Sequence, residues 1–311
     1  NPAYAARLAD HWQVIGDTEK EKQYARNAGH YAVKQFAHEN GLYYLNRAIA
    51  LTGNDEPALL YELLLAREGV YHLRGERDEQ MADLIRLGEV ADLLAKSGSP
   101  NHLPESALRL ANFAETTGDY DAAAAAALEA HRLALEGGSE ELQAASQLTL
   151  GQAFLRQGNY PEAKEALQQG MDGARKTHST KIEADCYRFL GVAASEQGQF
   201  EQCTTYYRQA LQLYRHINDK QGESAVLNNL GIIKVQDHVA ESLVYWKQAS
   251  TIFQEIGDRL GMARVLTNLS NIYTDLGEYE TAMSYGQQAL QLSREINVPI
   301  GVCFNLLNLS L

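Results

Sequence analysis

A leucine recurs at Leu110, Leu150, Leu190, Leu230, Leu269 and Leu309, in steps of 40, 40, 40, 39 and 40 residues. The residue that follows is always small: Ala111, Gly151, Gly191, Gly231, Ser270 and Ser310. Seven residues further on stands a glycine in four of five cases, at Gly118, Gly158, Gly198 and Gly277. A fixed period of this length is the mark of one supersecondary unit stacked on copies of itself. It also moves the functional question, because solenoids present long continuous surfaces rather than one enclosed pocket.

One repeat, Lys181 to Asn218, shows what the unit is. The segment KIEADCYRFLGVAASEQG carries Ile182, Ala184, Leu190, Ala193 and Ala194 in a pattern compatible with an amphipathic helix. Thr180 followed by Glu183 reads as a capping box, and Gly198 as a left-handed C-cap. The second segment places Phe200, Cys203, Tyr207, Ala210, Leu211 and Tyr214 at helical spacing and stops at Asn218, as sister units stop at Gly257 and Asn297. Each unit is therefore helix A, a turn, helix B and a turn, with the small residue after the leucine letting the two helices approach. The unit fits 102–137, 140–178, 181–218, 221–257 and 260–297, with a sixth begun at Pro299. Pro57, Pro104, Pro161 and Pro299 fall at expected helix starts, where a missing N–H is harmless. In the turn Gln236-Asp237-His238-Val239 the glycine and one residue are lost, and Lys234 replaces an apolar or aromatic residue, so a locally irregular hairpin is expected. Before Leu110 the period degrades. Gly16 and Gly75 still read as inter-helix turns and YYLNRAIAL (Tyr43 to Leu51) as a helix B, so 1–101 is assigned to divergent hairpins and 102–311 to the regular array.

These residues resemble the tetratricopeptide repeat, with Leu-Gly in helix A, Gly-x-Tyr/Phe at the turn, then Ala and Ala-Leu in helix B. LGQAFLRQGNYPEAKEAL (Leu150 to Leu167) and LSNIYTDLGEYETAMSYGQQAL (Leu269 to Leu290) match well, and the unit from Leu190 matches with Cys203 in place of alanine. The 40-residue period is similar to the long-helix subclass found in cell-polarity adaptors and bacterial peptide sensors. The resemblance implies an all-α, right-handed superhelix of antiparallel helix pairs. The N-terminal stretch, ARLADHWQVIGDTEKEKQYARNAGHYA then NGLYYLNRAIAL, resembles the start of the helical region in large bacterial signalling ATPases of the STAND, nucleotide-cyclase-linked AAA and LuxR types. In those a P-loop module precedes the repeats; no G-x-x-x-x-G-K-[ST] occurs in this chain.

The family pattern directs attention to the inner face lined by helix A. Near the small residue there stand Asn228 and Asn229, then Asn268 and Asn271, then Asn305 and Asn308, with Arg188 and Arg264 on neighbouring parts of the same surface. Asn229, Asn268 and Asn308 each immediately precede the anchor leucine. Asparagine is a mediocre helix former, so its repetition mid-helix asks for a reason. An amide offers both donor and acceptor, which suits gripping an extended peptide backbone, and the resemblance implies that use. Amides so placed can equally bridge adjacent helices, and plain duplication of the repeat would produce the same recurrence.

Chemistry of other kinds finds little footing. No H-E-x-x-H, G-x-S-x-G or strand-borne G-x-G-x-x-G occurs, and no two of the nine histidines stand three or four residues apart. The expectation is no enzyme and no cofactor. A formal charge of −13 argues against a nucleic-acid partner, although it does not exclude a local basic patch, and no apolar run approaches a membrane span. Three cysteines, Cys186, Cys203 and Cys303, show no zinc-ligand spacing, and Cys203 stands where sister repeats have alanine, as a small packing residue. An intracellular, cytoplasmic setting fits these thiols. The chain begins at Asn1 without a signal-peptide pattern and stops mid-repeat at Leu311, as a piece of a longer polypeptide would. The leading expectation is a non-catalytic module binding a protein or peptide, as sensor or scaffold arm of a larger bacterial signalling protein. The alternative is a structural solenoid that contacts other domains of its parent chain or another copy of itself.

Overall fold

The computed structural model describes residues 4–235 and 238–295, which contain fifteen α-helices and no strand. In the first compact unit, residues 1–142, lie α1 (Ala5–Ile15), α2 (Thr18–Lys34), α3 (His38–Leu51), α4 (Pro57–Arg74), α5 (Arg77–Lys96), α6 (His102–Thr117) and α7 (Tyr120–Glu136). The second unit, from residue 143, takes up α8 (Glu140–Arg156) after its first three residues, then α9 (Tyr160–Lys176), α10 (Thr180–Glu196) and α11 (Phe200–His216). It continues with α12 (Lys220–Lys234), α13 (Val239–Ile256), α14 (Arg259–Asp275) and α15 (Tyr279–Glu295). Within each unit short turns make consecutive helices antiparallel. In the first unit α2 pairs most closely with α3, α4 with α5 and α6 with α7; in the second α10 pairs with α11, α12 with α13 and α14 with α15. The leading members of successive pairs also touch one another, α2 with α4, α10 with α12 and α12 with α14. Each unit thus carries a row of A helices.

The expected turn glycines behave as a left-handed cap requires, with φ of +87° at Gly118, +80° at Gly158, +71° at Gly198 and +76° at Gly277. Gly16 and Gly75 cap α1 and α4 in the same way. Asn218 ends α11 with φ +55°, one of three non-glycine residues described in this region, beside Phe36 and His178. Asn297, Pro299 and the partial sixth unit lie outside the described residues.

The small residue after the anchor leucine has the packing role its size suggests. A methyl group added at Gly191 would come within 2.5 Å of the Tyr207 ring, at Gly231 within 2.4 Å of Trp246, and at Gly151 within 2.6 Å of Leu167. The partner position twelve residues later is also small and buried: Ala163, Cys203, Ala282. Cys203 is a packing residue whose thiol burial pushes up to about 11. Leu150, Leu190, Leu230 and Leu269 are buried as expected. Leu110 is not. It is 42% exposed, because α6 buries Ala111, Phe113 and Ala114 instead.

One local expectation needs correction. The cap of α10 is Ser179, not Thr180, which is already helical. Glu183 therefore falls one position beyond capping-box register and accepts a hydrogen bond from Arg175 Nε at 2.8 Å. At the shortened turn, α12 stops at Lys234 and α13 starts at Val239, with His238 at φ −142° rather than in the left-handed region. Gln236 and Asp237 lie outside the described residues. Lys234 finds its partner in Glu241, 3.9 Å away across the hairpin.

Candidate functional site

In the second unit the A helices α10, α12 and α14 carry those of the expected residues that are described. Asn228 and Asn229 on α12 and Asn268 and Asn271 on α14 are all half-buried. Asn305 and Asn308 lie outside the described residues. Asn268 Nδ2 donates to Asn228 Oδ1 at 3.0 Å, joining α14 to α12. The bridge does not join repeat equivalents, which would be Asn229 and Asn268; it is made one residue earlier. Asn229 instead acts on Tyr207 of α11, where it opposes the rise that burial gives the hydroxyl's pKa. Asn228 has a second tie, since its carbonyl accepts from Trp246 Nε1 at 3.2 Å.

The bridge uses only half of each amide. Asn228 Nδ2 and Asn268 Oδ1 have no protein hydrogen-bond partner among the described residues. A joined pair of amides that keeps one donor and one acceptor open has the complement of a peptide unit, which offers one of each. On the same helix Arg264 is exposed and forms no ion pair or hydrogen bond among the described residues.

Arg188 on α10 is more enclosed, with its side chain 23% exposed. Its Nε donates to the Tyr214 hydroxyl at 3.2 Å, and its Nη2 lies 3.5 Å from Asp185 Oδ1. Tyr214 comes from α11 and in turn donates to Asp185 Oδ1 at 2.5 Å. Burial pushes the Tyr214 hydroxyl well above the usual tyrosine range, so it keeps its proton and stays a donor. Burial alone would lower the Arg188 guanidinium, but Tyr214 and Asp185 outweigh it and hold its pKa above the ordinary value. Lys181 closes the cluster, 3.5 Å from Asp185 Oδ2 and 4.9 Å over the Tyr214 ring, and pairs with Asp219 at the cap of α12.

Asp185, Tyr207 and Tyr214 were not singled out by the sequence. A volume signal pointed to Tyr214: the pair Ala174 and Ile182 becomes Tyr214 and Gly222, then Phe253 and Gly261, with the large and small members exchanged. A methyl at Gly222 would come within 2.2 Å of the Tyr214 ring, and one at Gly261 within 2.3 Å of Phe253.

Two sequence models described as tetratricopeptide repeat match the chain, one at residues 103–176 and 234–295 and the other at 184–220. Comparison with curated proteins returns no match. Among solved structures, BtubC (BKLC) from P. vanneervenii is 22% identical, with 71% of this chain and 92% of that one covered at a TM-score of 0.57. The Rap conjugation gene regulator of plasmid pLS20, in complex with the Phr* peptide, is 16% identical over 90% of this chain and 76% of its own, with a TM-score of 0.70. A signal transduction ATPase with numerous domains and a tetratricopeptide repeat sensor, from Pyrococcus horikoshii, is 16% identical. There 94% of this chain covers 43% of the larger protein at a TM-score of 0.64. At these identities the likeness is one of fold. Among the described residues no helix is long and apolar enough to cross a membrane.

Proposed function

This chain belongs to the tetratricopeptide-repeat family, and we propose that its second unit is a non-catalytic module that binds an extended peptide or protein segment along α10, α12 and α14. The observation that carries the reading is the Asn228–Asn268 bridge, whose second donor and second acceptor have no partner among the described residues. Arg188, Asn229, Arg264 and Asn271 flank it, and Asn305 and Asn308 continue the sequence pattern. The Rap regulator that is solved with a Phr* peptide and the ATPase that carries such repeats as a sensor support the same reading. The setting we propose is the cytoplasm, as sensor or scaffold arm of a bacterial signalling protein, with no membrane or nucleic-acid partner.

A second reading has an observation of its own. The bridge joins neighbouring helices, as a purely structural amide would, and a solenoid built for contacts with parent domains or a second copy needs nothing more. The double variant Asn228→Ala with Asn268→Ala separates the two. A random heptapeptide library is panned on the wild-type chain and a selected peptide is titrated against both proteins by fluorescence anisotropy. Peptide binding should weaken by roughly 0.5–1.5 kcal/mol for each hydrogen bond lost, with the denaturant midpoint nearly unchanged because alanine is the better helix former. A melt lowered by several kcal/mol with peptide affinity intact would leave only the structural reading.

A further inference from the structure

We propose that the Tyr214 hydroxyl is a positioning group that holds Arg188 ready to donate to an oxygen of the bound peptide, an inference that rests on the peptide-binding reading above. Tyr214 is fully buried and belongs to a B helix, yet its hydroxyl surfaces among the A helices, between Asp185 and Arg188. The packing of its ring has no use for that hydroxyl. One repeat later Phe253 fills the same place against Gly261, just as Tyr214 does against Gly222. The oxygen comes together with its two partners, since one repeat later Ala225 stands for Asp185 and Asn228 for Arg188.

That oxygen stands inside a partly buried ion pair. Arg188 and Asp185 stand 3.5 Å apart, longer than a direct charge-assisted hydrogen bond of roughly 2.7–2.9 Å, and the hydroxyl bonds to both. Nε is committed to Tyr214, whereas Nη1 has no protein hydrogen-bond partner among the described residues. Asp185 is meanwhile shared with Lys181. Without the hydroxyl, Arg188 is free to fold onto Asp185 as a direct pair, and the donor is withdrawn. With it, a guanidinium edge is held in the same helix row as Asn228 and Asn268. An oxygen acceptor is the chemistry it fits, supplied by a backbone carbonyl or by a carboxylate.

The test is Tyr214→Phe, the residue that the sister hairpin already uses. A fluorescent heptapeptide selected on the wild-type chain is titrated against Tyr214→Phe, Arg188→Gln and the double variant. Tyr214→Phe should weaken binding roughly tenfold or more, as expected when a hydrogen bond to a charged group is lost. The double variant should bind no more weakly than Arg188→Gln, because the tyrosine acts through the arginine. A ligand-free readout runs beside it: the Arg188 Nε–H resonance in the nitrogen-15 spectrum should move in Tyr214→Phe as its hydroxyl acceptor is lost and the guanidinium turns onto Asp185, whatever the melting temperature does. Re-titrating peptide analogues with each Asp or Glu changed to its amide separates the two oxygen sources. Loss of the Arg188 dependence in one analogue names a carboxylate; dependence retained in all of them names a carbonyl. An unmoved Arg188 resonance, or full peptide affinity in Tyr214→Phe while Asn228→Ala with Asn268→Ala binds poorly, overturns the role of Tyr214 alone. A wild-type chain that selects no peptide overturns the binding reading and this role with it.

Discussion

The α4/α5 hairpin of the first unit and the α10/α11 hairpin of the second solve one packing problem in opposite ways. Where α10 and α11 meet through Gly191 and Cys203, twelve residues apart, α4 and α5 meet through Glu68 and Gln80, also twelve apart. Glu68 is 4% exposed and Gln80 1%. Such groups are tolerated in a core only when their hydrogen bonds are made. Here Gln80 Nε2 donates to Glu68 Oε1 at 2.7 Å and Arg109 Nη1 to Glu68 Oε2 at 2.6 Å, while Arg77 Nη1 donates to Gln80 Oε1 at 2.5 Å. Burial, with Arg77 nearby, holds His72 below the usual histidine range, so its Nδ1 stays neutral beside Gln80 Nε2 at 3.3 Å. Next to this network Arg67 grips the buried Asp83 with two bonds, at 2.5 and 2.9 Å. The A row of the first unit is tied by charge as well, with Arg26 bonded twice to Glu62 on the next A helix. One backbone arrangement thus accepts either close contact between small residues or a buried polar network. The second ties Glu68 and Gln80 to each other and to Arg109 and Arg77.

The comparison breaks most visibly if the polar hairpin survives the loss of a partner. Arg67→Ala leaves the Asp83 carboxylate, 3% exposed, without its cation. Removing one member of a buried pair should destabilise the first unit by roughly 3–5 kcal/mol, read as a lowered urea midpoint. A loss below about 1 kcal/mol, the size of an exposed pair, would show that water already reaches Asp83. A smaller effect separates two glycines. Gly191→Ala drives a methyl into the Tyr207 ring and should cost about 1–3 kcal/mol. Gly69→Ala, one residue past Glu68, meets nothing within 4 Å and should stabilise α4 by about 0.8–1 kcal/mol. The same sign for both would mean that close approach does not set the α10/α11 contact.

This difference also explains what could be read in advance. In the second unit the register announces itself, because glycine and alanine recur at fixed offsets and mark the contact between helices. The first unit has the same register in disguise. Gly29 and Gly41 form a small pair with the same spacing of twelve, and an added methyl at Gly29 would strike Leu45. Glu68 and Gln80 then occupy the next pair, and no periodicity search looks for a glutamate where glycine is due. The twenty-residue α5 and the connection Ser97–Asn101 lengthen the step to Ala111 as well. At the candidate site the asparagines were legible because they repeat. The Tyr214–Arg188–Asp185 cluster was not, since it joins residues 26 and 29 positions apart on two helices. Its visible trace was a glycine facing an aromatic eight residues earlier.

The smallest expected effect is a difference of sign with pH between two aspartates. Burial outweighs the pull of Arg67 and lifts Asp83 above the ordinary carboxylate range. Asp219 caps α12; burial works against its charge, but the Gly222 N–H at 2.9 Å, together with Lys181, prevails and holds it below that range. Both titrate near about 3.9 in the unfolded chain. A raised native pKa means that the folded state binds the proton more tightly, so the stabilisation from Asp83 is complete below about pH 4 and lost as pH rises through its folded value. A lowered one does the reverse, so the contribution of Asp219 is present above about pH 4 and lost as pH falls through its folded value. Urea melts of Asp83→Asn and Asp219→Asn across the acid range should therefore diverge from wild type with opposite slopes. The slope is the quantity to read, because Asp83→Asn also breaks the Arg67 pair and shifts its whole curve, whereas asparagine still caps a helix at position 219. Parallel slopes would mean that the buried aspartate of the first unit is stabilised by its network as fully as the cap in the second, and that the two hairpins differ in composition but not in electrostatic strain.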